Sequence, residues 1–75
     1  MNQTKFNAEP VPRVVNREKL KIVMAEKGLE QRDLARLFGS NPSSVSLKMS
    51  GQRDFNEQEI YILLNTFGNE IFLSN

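Results

Sequence analysis

Residues 31–51, QRDLARLFGSNPSSVSLKMSG, read as two short helices held at a fixed angle by a tight turn. Leu34, Ala35, Leu37 and Phe38 stand at helical spacing, and Ala35 is small enough to let a second helix cross close by. Gly39 ends the first helix. Asn41-Pro42 starts the next, since Asn41 can accept a bond from an unsatisfied backbone N–H and Pro42 brings a pre-set φ with no donor to waste. In that second helix Val45 and Met49 lie one turn apart and point inward, while Ser43, Ser46, Leu47 and Ser50 lie on other sides. A helix with so polar an outer face calls for a polar partner. Two helices set at an angle by a tight turn are the geometry in which a helix is offered to the DNA major groove.

Working outward, Asn16 reads as the cap of an earlier helix over about 17–27, with Val15 and Leu20 placed as a hydrophobic staple across its start. Leu20, Val23, Met24 and Lys27 mark one stripe of it, and Gly28 ends it. Leu29 can fold back on that last turn. The next helix, 31–38, begins after Glu30, a poor cap, with Asp33 in its first turn to suit the helix dipole. Beyond the helix at 42–50, Gly51 closes and Gln52-Arg53-Asp54 form an exposed loop. Asn56 with Glu59 is then the best helix-start signature in the chain, opening a helix over 57–67 whose buried stripe is Ile60, Leu63, Leu64 and Phe67. Gly68 stops it, and 69–73 allow one further short turn. Residues 1–15, with two prolines and no period, read as a flexible N-terminal arm. The expected fold is all-α: a compact domain of four to five helices over 16–75 behind that arm.

Seventy-five residues bury only about 60 % of their unfolded surface, so the core is small and its stability marginal. The chain has no Cys and no His, which excludes disulfides and the commonest zinc sites; no metal, cofactor or small-molecule site is expected. No apolar run reaches the roughly 20 residues of a membrane span, and residues 1–12 lack the apolar stretch of a signal peptide, so a cytoplasmic protein is expected. Enzymatic activity is not expected, because the serines lack an activating partner and there is no Gly-rich phosphate loop. The net charge is only +1, but residues 1–53 hold all ten Lys and Arg against five acids, while residues 54–75 hold four acids and no base. That distribution makes the chain electrically two-sided, able to turn a basic side toward phosphate.

With Gln31 opening the second helix, the Leu34-Ala35 pair, Gly39 in the turn, Val45 in the third helix and Gly51 after it, residues 17–68 resemble the helix-turn-helix family of phage Cro proteins and repressors (XRE-like). Ser46 to Gly51 followed by Phe55 and Glu59-Ile60 is also similar to a subgroup of short regulators from phages of Gram-positive hosts. Two positions depart from the pattern: Ser40 stands where the turn is usually aliphatic, and Lys48 occupies a slot that is usually apolar. The resemblance implies a lambda-repressor-like domain acting as a DNA-binding transcriptional regulator in a bacterial host cell. By it, Gln31 anchors to backbone phosphate.

On that reading Lys48 and Arg53 are the cations placed for phosphates, and Lys48 lays its stem along the core with its ammonium toward solvent or phosphate. Ser43 and Ser46, with Pro42 and Leu47, are expected at base edges, where serines discriminate poorly and Pro42 or Leu47 can pack on a thymine methyl, and the capping Asn41 and Ser44 complete the DNA-binding set. Specificity then leans on DNA shape, ordered water and Gln52. A pseudo-palindromic operator bound by a homodimer is expected. Ile71, Phe72 and Leu73 are candidates for the dimer contact, or else they tuck back over the core. Lys5 and Arg13 either reach along the duplex or belong to plain disorder. The rival reading is a protein-interaction module or antitoxin that uses the same scaffold to bind a toxin, an antirepressor or polymerase.

Overall fold

The computed structural model describes residues 14–73. Among them the chain is all-α and compact: α1 (Arg17–Glu26), α2 (Gln31–Phe38), α3 (Pro42–Met49) and α4 (Glu57–Phe67), followed by a 3₁₀ turn (Asn69–Ile71). No helix of the described residues is long and apolar enough to cross a membrane.

Each helix starts where a side chain meets an unsatisfied backbone donor. Asn16 Oδ1 accepts from the Lys19 N–H, Asn41 Oδ1 from Ser44 and Asn56 Oδ1 from Glu59. At α2 the N-cap is Glu30, and the Asp33 carboxylate accepts the Glu30 backbone N–H at 2.8 Å as the reciprocal arm of a capping box. At its far end α2 closes with Gly39 at φ +68°, which lets the Ser40 N–H reach back to the Ala35 carbonyl at 2.9 Å and the Gly39 N–H to Arg36. A side chain at Gly39 would meet no atom within 4 Å, so its glycine is required by backbone conformation and not by crowding.

The core draws one stripe from every helix: Leu20, Val23 and Met24 from α1, Leu34 and Ala35 from α2, Val45 and Met49 from α3, Leu63 and Phe67 from α4. Ile60, Leu64, Leu29 and Phe38 pack against it partly buried. Among the helices α2 and α3 are the most closely apposed pair, as the small Ala35 in the crossing allows. Of the expected α1 stripe, Lys27 falls outside the core and is exposed.

The helices at 17–27 and 42–50 each end one residue earlier than read from sequence, and the two ends of the described chain pack together. Residues 14 and 15 belong to the packed body and not to an arm over 1–15: Val15 is buried and pairs antiparallel with Phe72, the Leu73 N–H donates to the Val14 carbonyl at 2.9 Å, and the Asn16 N–H donates to the Ile71 carbonyl at 2.8 Å. Ile71 and Phe72 are accordingly core residues, the closing reading of that trio, with Ile71 fully buried, while Leu73 is about half exposed. The physical reason is size. A core of so few residues gains more from sealing its last Ile and Phe than from presenting them, and joining the two ends gives their backbone groups partners. Lys5 and Arg13 lie outside the described residues.

Ile71→Ala is therefore expected to cost about 2–5 kcal/mol, the range for a fully buried aliphatic side chain. Chemical denaturation should show the loss at every protein concentration, whereas a concentration-dependent loss would place Ile71 between two copies.

Candidate nucleic-acid interface

The turn Gly39–Asn41 joins α2 to α3, and the burial pattern of α3 defines two faces. Val45, Lys48 and Met49 are buried, whereas Pro42, Ser43, Ser46 and Ser50 are exposed, with Ser44 and Leu47 half-buried between them. The exposed set is polar apart from the proline ring. Asn41 is also exposed, but its Oδ1 is engaged with the Ser44 N–H at 2.9 Å, which leaves its NH₂ group as the part able to meet a ligand.

Lys48 is the main correction. It is 8 % exposed, and its ammonium does not reach solvent: Nζ lies 2.8 and 2.7 Å from the two carboxylate oxygens of Glu59, itself 5 % exposed. A lysine so placed cannot neutralise a DNA phosphate. The reason lies in helix geometry, because positions 45, 48 and 49 share one face by the i, i+3, i+4 rule. That spacing is readable in the sequence. Glu59 Oε1 also accepts the Asn56 N–H at 2.9 Å, so one carboxylate caps α4 and holds α3.

Behind α3 the chain is tightly bonded. The Gln52 and Arg53 N–H groups both donate to the Leu47 carbonyl, at 2.9 and 3.2 Å, and Ser50 Oγ donates to the same oxygen at 3.0 Å. Gln52 Nε2 in turn donates to Ser50 Oγ at 3.1 Å, which sets the orientation of its amide. Arg17, which sequence reasoning did not single out, reaches across from the start of α1. Its Nε donates to the Lys48 carbonyl at 2.6 Å, its Nη2 donates to the Arg53 carbonyl at 3.3 Å, and its guanidinium carbon lies 5.7 Å from the centre of the Phe55 ring. Phe55 meets Phe38 of α2 edge to face, with centroids 6.0 Å apart. Nothing in the local sequence marks Arg17, because its partners lie 31 and 36 residues away.

Gln31 is exposed at the first position of α2, beside a shallow depression of about 210 Å³ that it lines with Lys21, Met24, Ala25, Leu29, Glu30 and Met49. Lys21 was likewise not singled out, and it brings a cation to the same rim as Gln31. The two-sided charge expected from sequence is partly cancelled in space, since Arg17 lies 3.8 Å from Asp54, Lys19 lies 3.8 Å from Glu70 and Lys48 is paired with Glu59. On α2 Arg32 pairs with Glu30 and Arg36 with Asp33. Among the described residues Lys21, Lys27 and Arg53 keep their charges out of ion pairs, and all three are exposed.

Lys48→Met, which leaves the Glu59 carboxylate buried without its counter-charge, is expected to cost about 3–5 kcal/mol in urea denaturation. Adding Glu59→Gln, which keeps an acceptor for the Asn56 N–H, should recover most of that loss. Comparison of the chain with protein-family models, with curated proteins and with solved structures finds no significant match.

Proposed function

We propose that the chain is a sequence-specific double-stranded DNA-binding regulator of the phage Cro and repressor kind, with α2, the turn and α3 as its helix-turn-helix. One observation carries the reading: α3 is locked from behind through Val45, Lys48 and Met49 while it turns an exposed polar face, Ser43, Ser46 and Ser50 with Pro42, to solvent. A helix held rigidly and left uncovered is suited to entering a groove.

In this arrangement Pro42, Ser43 and Ser46 meet base edges, and the exposed part of Leu47 packs on a thymine methyl. Gln31 and Lys21, which share one rim, hold backbone phosphate, and so does the exposed Arg53, with no carboxylate paired to it among the described residues. Lys48 has no part in phosphate binding. One short helix reads few base pairs, so two copies bind a pseudo-palindromic operator, each on its own half-site. The working compartment is the cytoplasm of a bacterial host, where the regulator meets its operator.

Gel-shift titrations on a pool of random duplexes across salt concentrations test this. Affinity should fall steeply as salt rises, and Arg53→Ala and Lys21→Ala should each lower the slope of log affinity against log salt by about one, with little change in sequence preference. Lys48→Met, read under conditions where it stays folded, should leave that slope unchanged. Binding to a protein partner with no salt-dependent DNA binding would instead favour an interaction module or antitoxin built on the same scaffold.

A further inference from the structure

We infer that Arg17 is a positioning residue for DNA reading, its guanidinium setting the pitch of α3 and the aim of the loop behind it without meeting DNA itself. The inference rests on the DNA-binding reading and goes beyond it by assigning specificity to a residue outside the two-helix unit.

Every polar contact of the Arg17 guanidinium lies at the far end of α3 or in the loop that follows: the Lys48 carbonyl at 2.6 Å, the Arg53 carbonyl at 3.3 Å and the Asp54 carboxylate at 3.8 Å, with the Phe55 ring against its face. The Lys48 carbonyl is one of the last acceptors of α3, where the helix dipole is negative, and a cation there offsets a field that would repel phosphate. Without Arg17 it keeps only backbone donors of the turn behind it, the Gly51 N–H at 3.3 Å and the Ser50 N–H. Because α3 is about 12 Å long, a shift of about 1 Å at its C-terminal end moves the middle, where Ser46 lies, by about half as much. Base readout tolerates displacements of only about 0.5 Å. The same fork holds the backbone of Arg53, so it also aims the side chain proposed for phosphate. A phosphate brought directly to Arg17 would meet the Asp54 carboxylate beside it, which argues against direct contact.

The test begins with selection of preferred duplexes from a random pool by the wild-type chain. Affinities of wild type, Arg17→Lys, Arg17→Gln and Arg17→Ala are then compared on a selected and a scrambled duplex across salt, well below each melting midpoint. Arg17→Gln and Arg17→Ala are expected to lose about tenfold in discrimination, the scale of one mismatched base pair, with the salt slope on scrambled DNA unchanged. Arg17→Lys, which keeps the charge but not the fork, should lose as much; full rescue by lysine would overturn the inference. So would a slope reduced by about one with discrimination kept, because Arg17 would then be a phosphate ligand. An equal loss on both duplexes would reduce Arg17 to a stability residue and overturn it too. Hydrogen exchange of the free protein supplies a readout without DNA: the Gly51, Gln52 and Arg53 amides should exchange faster in Arg17→Gln, and unchanged rates would remove the clamp. If wild type enriches no sequence, the DNA reading falls and this inference with it; if it does and Arg17→Gln still discriminates, this inference alone falls.

Discussion

The buried contact between Lys48 and Glu59 is the constraint on which the rest of the structure depends. A lysine and a glutamate at 8 % and 5 % exposure are tolerable only together, because either alone would be a buried charge without compensation. Their pairing joins the last turn of α3 to the first turn of α4, and the same carboxylate completes the Asn56 cap. An apolar pair of the same volume could fill the space at similar stability, but it would lack the two directed N–H···O contacts. With Val45 and Met49 buried on the same side, the pair keeps that side of α3 turned to the interior. The polar face of α3 is thereby committed to the outside.

Around this bolt the molecule uses its ends and one arginine where a larger domain would use more core. The pairing of Val15 with Phe72 closes the chain on itself, sealing Ile71 beneath it. Arg17, Phe55 and Phe38 form a run of contacts that links the start of α1, the loop before α4 and the end of α2. These contacts differ in chemistry, but each crosses between segments distant in sequence, and the Arg17 contacts bear directly on the end of α3 and the loop beside it. A helix of eight residues is not stable alone, so its rigidity is borrowed from those neighbours.

Much of the architecture was legible residue by residue. Asn16, Asn41 and Asn56 mark helix starts because a short side-chain acceptor satisfies a donor three residues on, and Gly39 marks a helix end because it takes a left-handed conformation cheaply. The inward direction of Val45 and Met49 followed from helical period. The candidate site was legible in its exposed half, Pro42, Ser43, Ser46 and Arg53, and not in its support. Val45, Lys48 and Met49 share a face, so the buried stem of Lys48 is legible, whereas the partner of its ammonium, Glu59, is not. Ile71 and Phe72 could be read either as closure or as contact, since an apolar run at a chain end looks the same in both cases.

The amino-acid order alone thus determined the helices, their caps and the polar face of α3, because each rests on interactions within about four residues. Only the tertiary structure decided that Lys48 is spent on Glu59, that Arg17 reaches the end of α3 and that residues 14–15 zip to 72–73. Those outcomes depend on which distant groups share a low-dielectric interior, and no local period records that.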